Sequence, residues 1–197
     1  MTQQDKSSLQ NAIEILRSGG IGIFPTDTVY GIGCRLDNQE ALAKLFAIRN
    51  RPEEKAVLAV VDSMEMAQEY LLPIPEDVRG QLMEKYWPGG LTIVLPCREA
   101  KVPSLARGGG KTLGVRQTNH PILLEILKEI KVPLVAPSAN FAGEATPKAF
   151  EDLDPKLVSL VDIVINGMCG GDMPSTVIDC SVSPWKILRQ GGVQVDL

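Results

Sequence analysis

Histidine is nearly absent from this sequence of 197 residues, because His120 is its only example. A serine–histidine–aspartate triad or a multi-histidine metal site would have to be built on that one residue. His120 stands directly before Pro121, and proline is favoured at the first position of a helix. We therefore interpret His120 as a structural residue at a helix entrance.

Cysteine is also scarce, and its spacing excludes further classes of site. No two of the four cysteines form a C-x-x-C pair, which is the spacing typical of zinc-binding and redox motifs. We expect reduced, partly buried thiols in a cytoplasmic protein. The four residues are Cys34, Cys97, Cys169 and Cys180.

Positive charge and long apolar runs are equally limited. The net charge is −4 and the isoelectric point is near 5.1, which argues against broad, charge-driven binding of nucleic acid. A local basic cleft is still compatible with these values, because the electric field depends on where the charges lie. No apolar stretch approaches the roughly 20 residues that span a bilayer, and residues 1–8 are too polar to resemble a signal peptide. We expect no membrane association.

Helix-like and strand-like runs alternate along the chain, without a repeat or a low-complexity block. This alternation predicts an α/β fold, with helices flanking a twisted open sheet, in one domain over residues 1–197. The closing run of strands lacks long helices and favours a mixed parallel and antiparallel sheet. The first helix is predicted to be capped at Ser7 and ended by Gly19. Further helices are predicted over 38–48, 75–86 and 121–130, and strands over 20–24, 56–61, 91–95, 112–115, 133–136, 161–165, 176–180 and 185–188.

One glycine-rich segment, Gly108 to Thr112, superficially suggests a phosphate-binding loop. That motif needs a glycine five positions before Gly110, and Leu105 stands there instead. The loop should also open a helix, whereas the residues from Thr112 onward are typical of a strand. We interpret the segment as a flexible glycine loop that enters a strand.

Cationic side chains recur where predicted elements end. Arg49, Arg51 and Lys55 follow the second helix, and Arg116 and Arg189 each close a strand. Ligands of open α/β sheets bind at strand ends, and arginine forks suit carboxylates and phosphates. Each arginine taken alone is better explained as a solvated surface charge, and only their joint placement favours a binding site.

Two turns with small hydroxyl residues are equally ambiguous. Residues 137–140 follow a buried strand, and their backbone N–H groups could cradle an anion while Asn140 holds the turn. Residues 174–176 open another strand in the same way. Ordinary turn chemistry explains both segments as well as anion binding does.

Six short blocks nevertheless stand in a specific order and spacing. They are 25–33 (PTDTVYGIG), 49–52 (RNRP), 87–92 (WPGGLT), 114–116 (GVR), 136–140 (APSAN) and 175–179 (STVID) with 187–189 (ILR). Together they resemble the YrdC/Sua5 family of threonylcarbamoyl-AMP synthases, in its short, single-domain form. The resemblance runs from Phe24 to Gly192, nearly the whole chain.

The resemblance implies a YrdC-like twisted mixed sheet with a large basic cleft on one side. It implies a nucleotidyltransferase that forms threonylcarbamoyl-AMP and pyrophosphate from L-threonine, bicarbonate and ATP. Mg²⁺ would accompany the ATP without a dedicated protein metal site. A downstream tRNA threonylcarbamoyl transferase would then place the group on adenosine, giving threonylcarbamoyladenosine in tRNA.

Positions within the blocks carry implied roles for individual side chains. Those expected to contact threonine are Thr28, Arg116 and Ser175. Those expected to act in catalysis are Arg49, Arg51 and Lys55, the last two by holding nucleotide phosphates. The other nucleotide contacts are expected to be Thr112, Ser138, Asn140, Thr146 and Arg189.

The sequence also departs from the family pattern near Arg49, where lysine is usual. The arginine keeps the charge but replaces a point charge with a planar fork. Asn50 and Ala56 replace the usual glycine and proline, and Gly90 and Gln190 stand where proline is common. Asp27 either orients a neighbouring cation or only stabilises its turn, and the sequence leaves both roles open.

Two other functions stay open at this point. The same fold is linked to double-stranded RNA, so the chain could be a tRNA- or RNA-binding module without adenylate formation, or a synthase that also binds RNA weakly. The acidic isoelectric point and the aromatic content of 5% count against the module, because RNA is commonly held on aromatic platforms. A carbamoyl-phosphate-handling domain is the third candidate, but it usually brings zinc-finger cysteine pairs.

Overall fold

The computed structural model describes residues 3–196 of the chain and the side chains of residues 7–196. Its strands are β1 (Gly22–Phe24), β2 (Gly31–Arg35), β3 (Leu58–Val61), β4 (Leu91–Pro96), β5 (Thr112–Gln117), β6 (Leu134–Val135), β7 (Ile163–Val164), β8 (Thr176–Asp179) and β9 (Lys186–Arg189). They form one sheet in the order β7-β1-β2-β6-β3-β5-β4-β8-β9. The pairs β1/β7, β3/β5 and β4/β8 are parallel, and the other neighbours are antiparallel. The predicted α/β fold with an open mixed sheet is therefore confirmed.

Local sequence signals explain where several helices begin. The side chain of Asn38 accepts a hydrogen bond from the backbone N–H of Ala41 at 2.9 Å, which caps the second helix. His120 is the N-cap residue of the helix that starts at Pro121, so its predicted place at a helix entrance is confirmed. The helices are α1 (Gln3–Arg17), α2 (Gln39–Ile48), α3 (Met64–Tyr70), α4 (Glu76–Val78), α5 (Glu84–Tyr86), α6 (Pro121–Ile130) and α7 (Pro155–Val158), with a π turn over Arg79–Met83 and a 3₁₀ turn over Phe150–Asp152. No helix in the described range 3–196 is long and apolar enough to cross a bilayer.

The sheet buries apolar side chains on both of its faces. Helices α1 and α6 cover one face, where Leu16 and Leu127 share a core cluster with Val60 of β3. The second and larger cluster includes Leu42 and Leu45 of α2, together with Ala59 and Val61. Neighbouring residues of β3 therefore enter different cores, as expected for a strand whose side chains alternate between the two faces.

Some predicted boundaries were wrong. Helix α1 begins at Gln3, so Ser7 lies inside the helix and is not its cap. Strand β2 and helix α3 were not predicted, because β2 (GIGCR) has two glycines that weaken the strand pattern and α3 is only seven residues long. The hydroxyl of Ser63, which accepts from the backbone N–H of Met66 at 3.2 Å, is the sequence signal that could have marked α3.

The glycine-rich segment enters a strand, as predicted. Gly108 and Gly109 adopt positive φ angles of 57° and 76°, and β5 then begins at Thr112. A Cβ atom on Gly108 would lie 2.5 Å from the carbonyl oxygen of Glu54. The segment therefore needs glycine both for its backbone conformation and for its close packing against residues 54–56.

Candidate functional site

A cavity of about 350 Å³ lies across one face of the central strands. Along β5, Thr112, Gly114 and Arg116 line the cavity, while the intervening Leu113 and Val115 belong to the core on the other side. The prediction that Arg189 closes a strand is confirmed, because Arg189 is the last residue of β9. Strand β5 continues one residue past Arg116, to Gln117. Both arginines line the cavity.

Most of the expected site residues converge on this cavity. The expected contacts that line it are Thr28, Arg49, Arg51, Thr112, Arg116, Ser138, Ser175 and Arg189. Asn140 is buried behind the wall, where its side chain contacts Arg49 and Ser138. Among the described residues, Lys55 and Thr146 lie outside the wall.

The loop between β1 and β2 is held by the hydroxyl of Thr26. This oxygen lies 3.0 Å from the hydroxyl of Thr28, accepts the Thr28 backbone N–H at 3.0 Å and donates to the carbonyl oxygen of Val29 at 2.8 Å. The Thr28 side chain is thereby fixed at the cavity wall. Thr26 also lines the cavity, and sequence reasoning did not single it out although it belongs to block 25–33.

Arg116 is a buried cation with an acidic partner. Its Nη1 donates to Oδ2 of Asp27, and the hydroxyl of Thr118 donates to Oδ1 of the same carboxylate at 2.6 Å. The two side chains of this ion pair are only 2% and 5% exposed. Of the two roles that the sequence left open for Asp27, the structure therefore supports the orientation of a cation. Such a pair is tolerated in the interior because the charges and polar atoms satisfy each other.

Ser175 lies between Arg189 and Thr92. Arg189 donates to the Ser175 carbonyl oxygen through Nε at 3.0 Å and Nη2 at 2.9 Å, and Nη2 also reaches the Ser175 hydroxyl at 3.1 Å. The hydroxyl lies 2.8 Å from that of Thr92. Arg189 thus holds the segment that precedes β8, and Thr92 is a further polar wall residue that the sequence analysis did not name.

Arg49 reaches across to the turn that follows β6. Its Nε donates to the Asn140 carbonyl oxygen at 3.0 Å, and its Nη2 lies 3.4 Å from the side-chain oxygen of Asn140. Its Nη1 is buried and has no hydrogen-bond partner among the described residues. A buried donor without a partner is costly, so this nitrogen is well suited to receive an anionic ligand.

Arg51 organises the segment that leads to β3. Its Nε and Nη2 donate to the carbonyl oxygens of Lys55 and Ala56 at 3.0 and 2.5 Å. Lys55 therefore contributes its backbone to Arg51, while its side chain is exposed to solvent. The resemblance implied that Arg51 and Lys55 both hold nucleotide phosphates, and of the two only Arg51 lines the cavity.

The arginines of the cavity affect one another. Burial, followed by the charge of Arg51, lowers the pKa of Arg49 to about 10. Burial and then the charge of Arg189 lower the pKa of Arg51, and burial and then the charge of Arg116 lower the pKa of Arg189. Like charges are therefore held close together in a partly desolvated space, which is a pre-arranged site for anions.

Replacing Arg49 with lysine should lower the free energy of unfolding by about 1–3 kcal/mol, because the oxygens of Asn140 would lose the fork that pairs with them. Lysine cannot place two donors at the two acceptors in a fixed plane. Urea unfolding of the two proteins measures the difference.

The matched control for Arg49→Lys is Arg17→Lys at a surface ion pair. The side chains of Arg17 and Glu129 are 45% and 49% exposed. Exposed pairs contribute little, so we expect a change below about 0.5 kcal/mol there. Equal effects at the two sites would contradict the structural role of the Arg49 fork.

The family follows from comparison with known sequences. The family model Sua5/YciO/YrdC, which is described as telomere recombination, matches residues 14–191. The chain belongs to this family. The YrdC/Sua5 resemblance predicted from the six blocks is thereby confirmed.

Curated relatives in this family are named threonylcarbamoyl-AMP synthase. The Bacillus subtilis relative is 32% identical over 189 residues, which cover 94% of this chain and 54% of the relative. The Pseudoalteromonas translucida relative is 33% identical over 178 residues, covering 89% of this chain and 94% of the relative. This family member therefore spans about half the length of some relatives and nearly the full length of others.

Solved structures of the family share the fold. Pyrococcus abyssi Sua5 complexed with L-threonine is 32% identical, with a TM-score of 0.88 over 93% of this chain and 54% of the neighbour. Escherichia coli YciO is 27% identical, with a TM-score of 0.83 over 96% of this chain and 91% of the neighbour.

Proposed function

We propose that this chain is a threonylcarbamoyl-AMP synthase, which forms L-threonylcarbamoyladenylate and pyrophosphate from L-threonine, bicarbonate and ATP. The observation that carries the proposal is the set of four arginines in one cavity wall, Arg49, Arg51, Arg116 and Arg189. Such a cavity suits one substrate with a carboxylate and another with a triphosphate. The names of the curated relatives and the L-threonine complex of the Pyrococcus abyssi neighbour support the same reaction.

The threonine side of the cavity is proposed to consist of Thr28, Arg116 and Ser175. Arg116 would bind the amino-acid carboxylate, because a guanidinium offers two parallel donors to two carboxylate oxygens. The hydroxyls of Thr28 and Ser175 lie in the same wall and can donate to or accept from a polar substrate.

The nucleotide side is proposed to consist of Arg49, Arg51, Thr112, Ser138 and Arg189, supported by Asn140. None of the three arginines forms a salt bridge with a residue in the range 7–196. Their charge is therefore available to the phosphates. Lys55 and Thr146 lie outside the cavity wall, so they are not assigned to the nucleotide side.

The proposed chemistry asks for positioning and charge neutralisation. Threonine's amine and bicarbonate give a carbamate with loss of water. A carbamate oxygen then forms a bond to the α-phosphorus of ATP, while the bond from that phosphorus to the pyrophosphate oxygen breaks. The protein needs no covalent nucleophile, since fixed arginines hold both reactants and neutralise the charge on the leaving pyrophosphate.

Mg²⁺ is proposed to arrive with ATP as part of the substrate. No group of three or more metal-ligating side chains lies among the described residues, and Asp179 is the one acid of the cavity wall within that range. The phosphates and water would therefore supply most ligands of the ion. The adenylate is proposed to pass to a tRNA threonylcarbamoyl transferase for modification of adenosine.

Pyrophosphate release tests the proposal directly. We expect rapid release only when L-threonine, bicarbonate and MgATP are all present, and mass spectrometry should detect threonylcarbamoyl-AMP in the same samples. Leaving out each substrate in turn is the control. Pyrophosphate release that is unchanged without threonine would contradict this function.

A further inference from the structure

Asp27 lies behind the cavity wall and uses both carboxylate oxygens within the protein. Oδ2 accepts from Nη1 of Arg116, and Oδ1 accepts from the hydroxyl of Thr118 at 2.6 Å. The hydroxyl of Thr118 also accepts the backbone N–H of His120 at 3.1 Å, which ties this contact to the start of α6. With a side chain only 5% exposed, Asp27 is placed to act on Arg116 and not on a substrate.

The contact with Asp27 determines which part of Arg116 is left for a ligand. Nη1 is occupied, whereas the buried Nε has no hydrogen-bond partner among the described residues. The edge of a guanidinium formed by Nε and Nη2 carries two parallel N–H groups and matches a carboxylate. Asp27 therefore holds Arg116 in an orientation that leaves this edge unused.

Asp27 also makes the charge of the cavity uneven. Arg116 has a carboxylate partner, while Arg49, Arg51 and Arg189 form no salt bridge with any residue in the range 7–196. A multiply charged anion is therefore attracted to the three arginines more than to the neutralised pair. The charge of Asp27 weakens the binding of a singly charged carboxylate at Arg116 less than the binding of a phosphate. The carboxylate relies mainly on two hydrogen bonds in a fixed plane.

We propose that Asp27 is a positioning residue that reserves Arg116 for a carboxylate and directs phosphate groups to the other three arginines. This inference rests on the proposed function and adds a means by which two anionic substrates are kept in separate places. Without the Asp27 charge, Arg116 would become a fourth binding group for phosphate, and phosphate would compete with the amino acid.

Asp27→Asn tests the proposal because it removes the negative charge with little change in shape. The amide oxygen can still accept one hydrogen bond. We expect calorimetry to show L-threonine binding weakened about 10- to 100-fold. Sulfate, used as a multiply charged probe, should weaken threonine binding further in this variant, by about tenfold at concentrations that compete with ATP. Thr118→Val is the matched control, because it removes one hydrogen bond to Asp27 and keeps the charge. In that variant sulfate should not compete with threonine.

Wild-type protein provides a test that does not depend on whether Asp27→Asn folds. Sulfate should compete with ATP and change threonine binding by less than about twofold. The proposal would be overturned if sulfate displaced threonine from the wild-type protein as readily as it displaces ATP. It would also be overturned if sulfate weakened threonine binding equally in the wild type and in Asp27→Asn. A wild-type protein that neither binds threonine nor releases pyrophosphate would instead overturn the proposed synthase function.

Discussion

Replacing Arg116 with alanine should raise the KM for L-threonine about 100-fold or more and change the KM for ATP by less than about threefold. The side chain lies 2% exposed in the cavity wall, and its Nε is buried without a partner. A carboxylate bound there would lose two charge-assisted hydrogen bonds in the variant. Initial rates of pyrophosphate release, with threonine and ATP varied separately, measure both constants.

Stability must be separated from binding in this experiment. Arg116→Ala leaves the carboxylate of Asp27 buried without its cation, and an uncompensated buried charge costs about 3–5 kcal/mol. The double variant Arg116→Ala with Asp27→Asn removes that charge and should recover most of the lost stability. Its KM for threonine should stay as high as in the single variant. Recovery of threonine binding in the double variant would show that the effect came from misfolding.

Arg51→Ala is the matched control from the other part of the cavity. Arg51 also lines the wall, but it has no carboxylate partner among the described residues, and burial and then the charge of Arg189 lower its pKa. We expect a raised KM for ATP and a small change for threonine. If Arg116→Ala and Arg51→Ala altered both constants equally, the division of the cavity into two sides would be wrong.

The fold was predictable because its main signal is local. Apolar runs such as 91–95 and 121–130 are long and regular, and the structure places β4 and α6 there. Strand β2 was missed because Gly31 and Gly33 weaken its local pattern. Its conformation is set by neighbouring strands, since β1 and β6 pair with it on either side.

Many residues that line the cavity could be predicted, but their arrangement could not. The blocks predicted Arg116 and Ser175 as site residues, and both line the cavity, but the blocks did not indicate that Asp27 would contact Arg116. The sequence analysis also did not predict that residues 170–171 would contact block 25–33. Gly170 and Gly171 donate backbone N–H groups to the carbonyl oxygens of Thr26 and Thr28 at 2.8 and 3.1 Å. These backbone contacts join segments more than 140 residues apart in the sequence. They constrain the side chains only by requiring small residues, so the sequence pattern did not predict them.

Gly33→Ala should destabilise the protein by about 3 kcal/mol or more, enough to prevent folding if the native margin is small. A Cβ atom at this position would lie 1.6 Å from the carbonyl oxygen of Val135. The clash is with backbone, and β2 cannot move away because it is paired with β1 on one side and β6 on the other. Urea unfolding, or the yield of folded protein when the variant cannot be purified, measures the effect.

Gly80→Ala is the control for this substitution. Gly80 lies in the π turn over Arg79–Met83, and an added Cβ would have no heavy atom within 4 Å outside its own helical neighbourhood. Alanine has the higher helix propensity, so we expect a change between zero and a gain of about 1 kcal/mol. A similar loss at the two positions would mean that backbone entropy and not the clash sets the cost. A large loss of stability confined to Gly33 would mean that block 25–33 contains a residue needed for packing as well as residues of the proposed site. The two are connected because β2 begins where the loop that holds Thr28 ends.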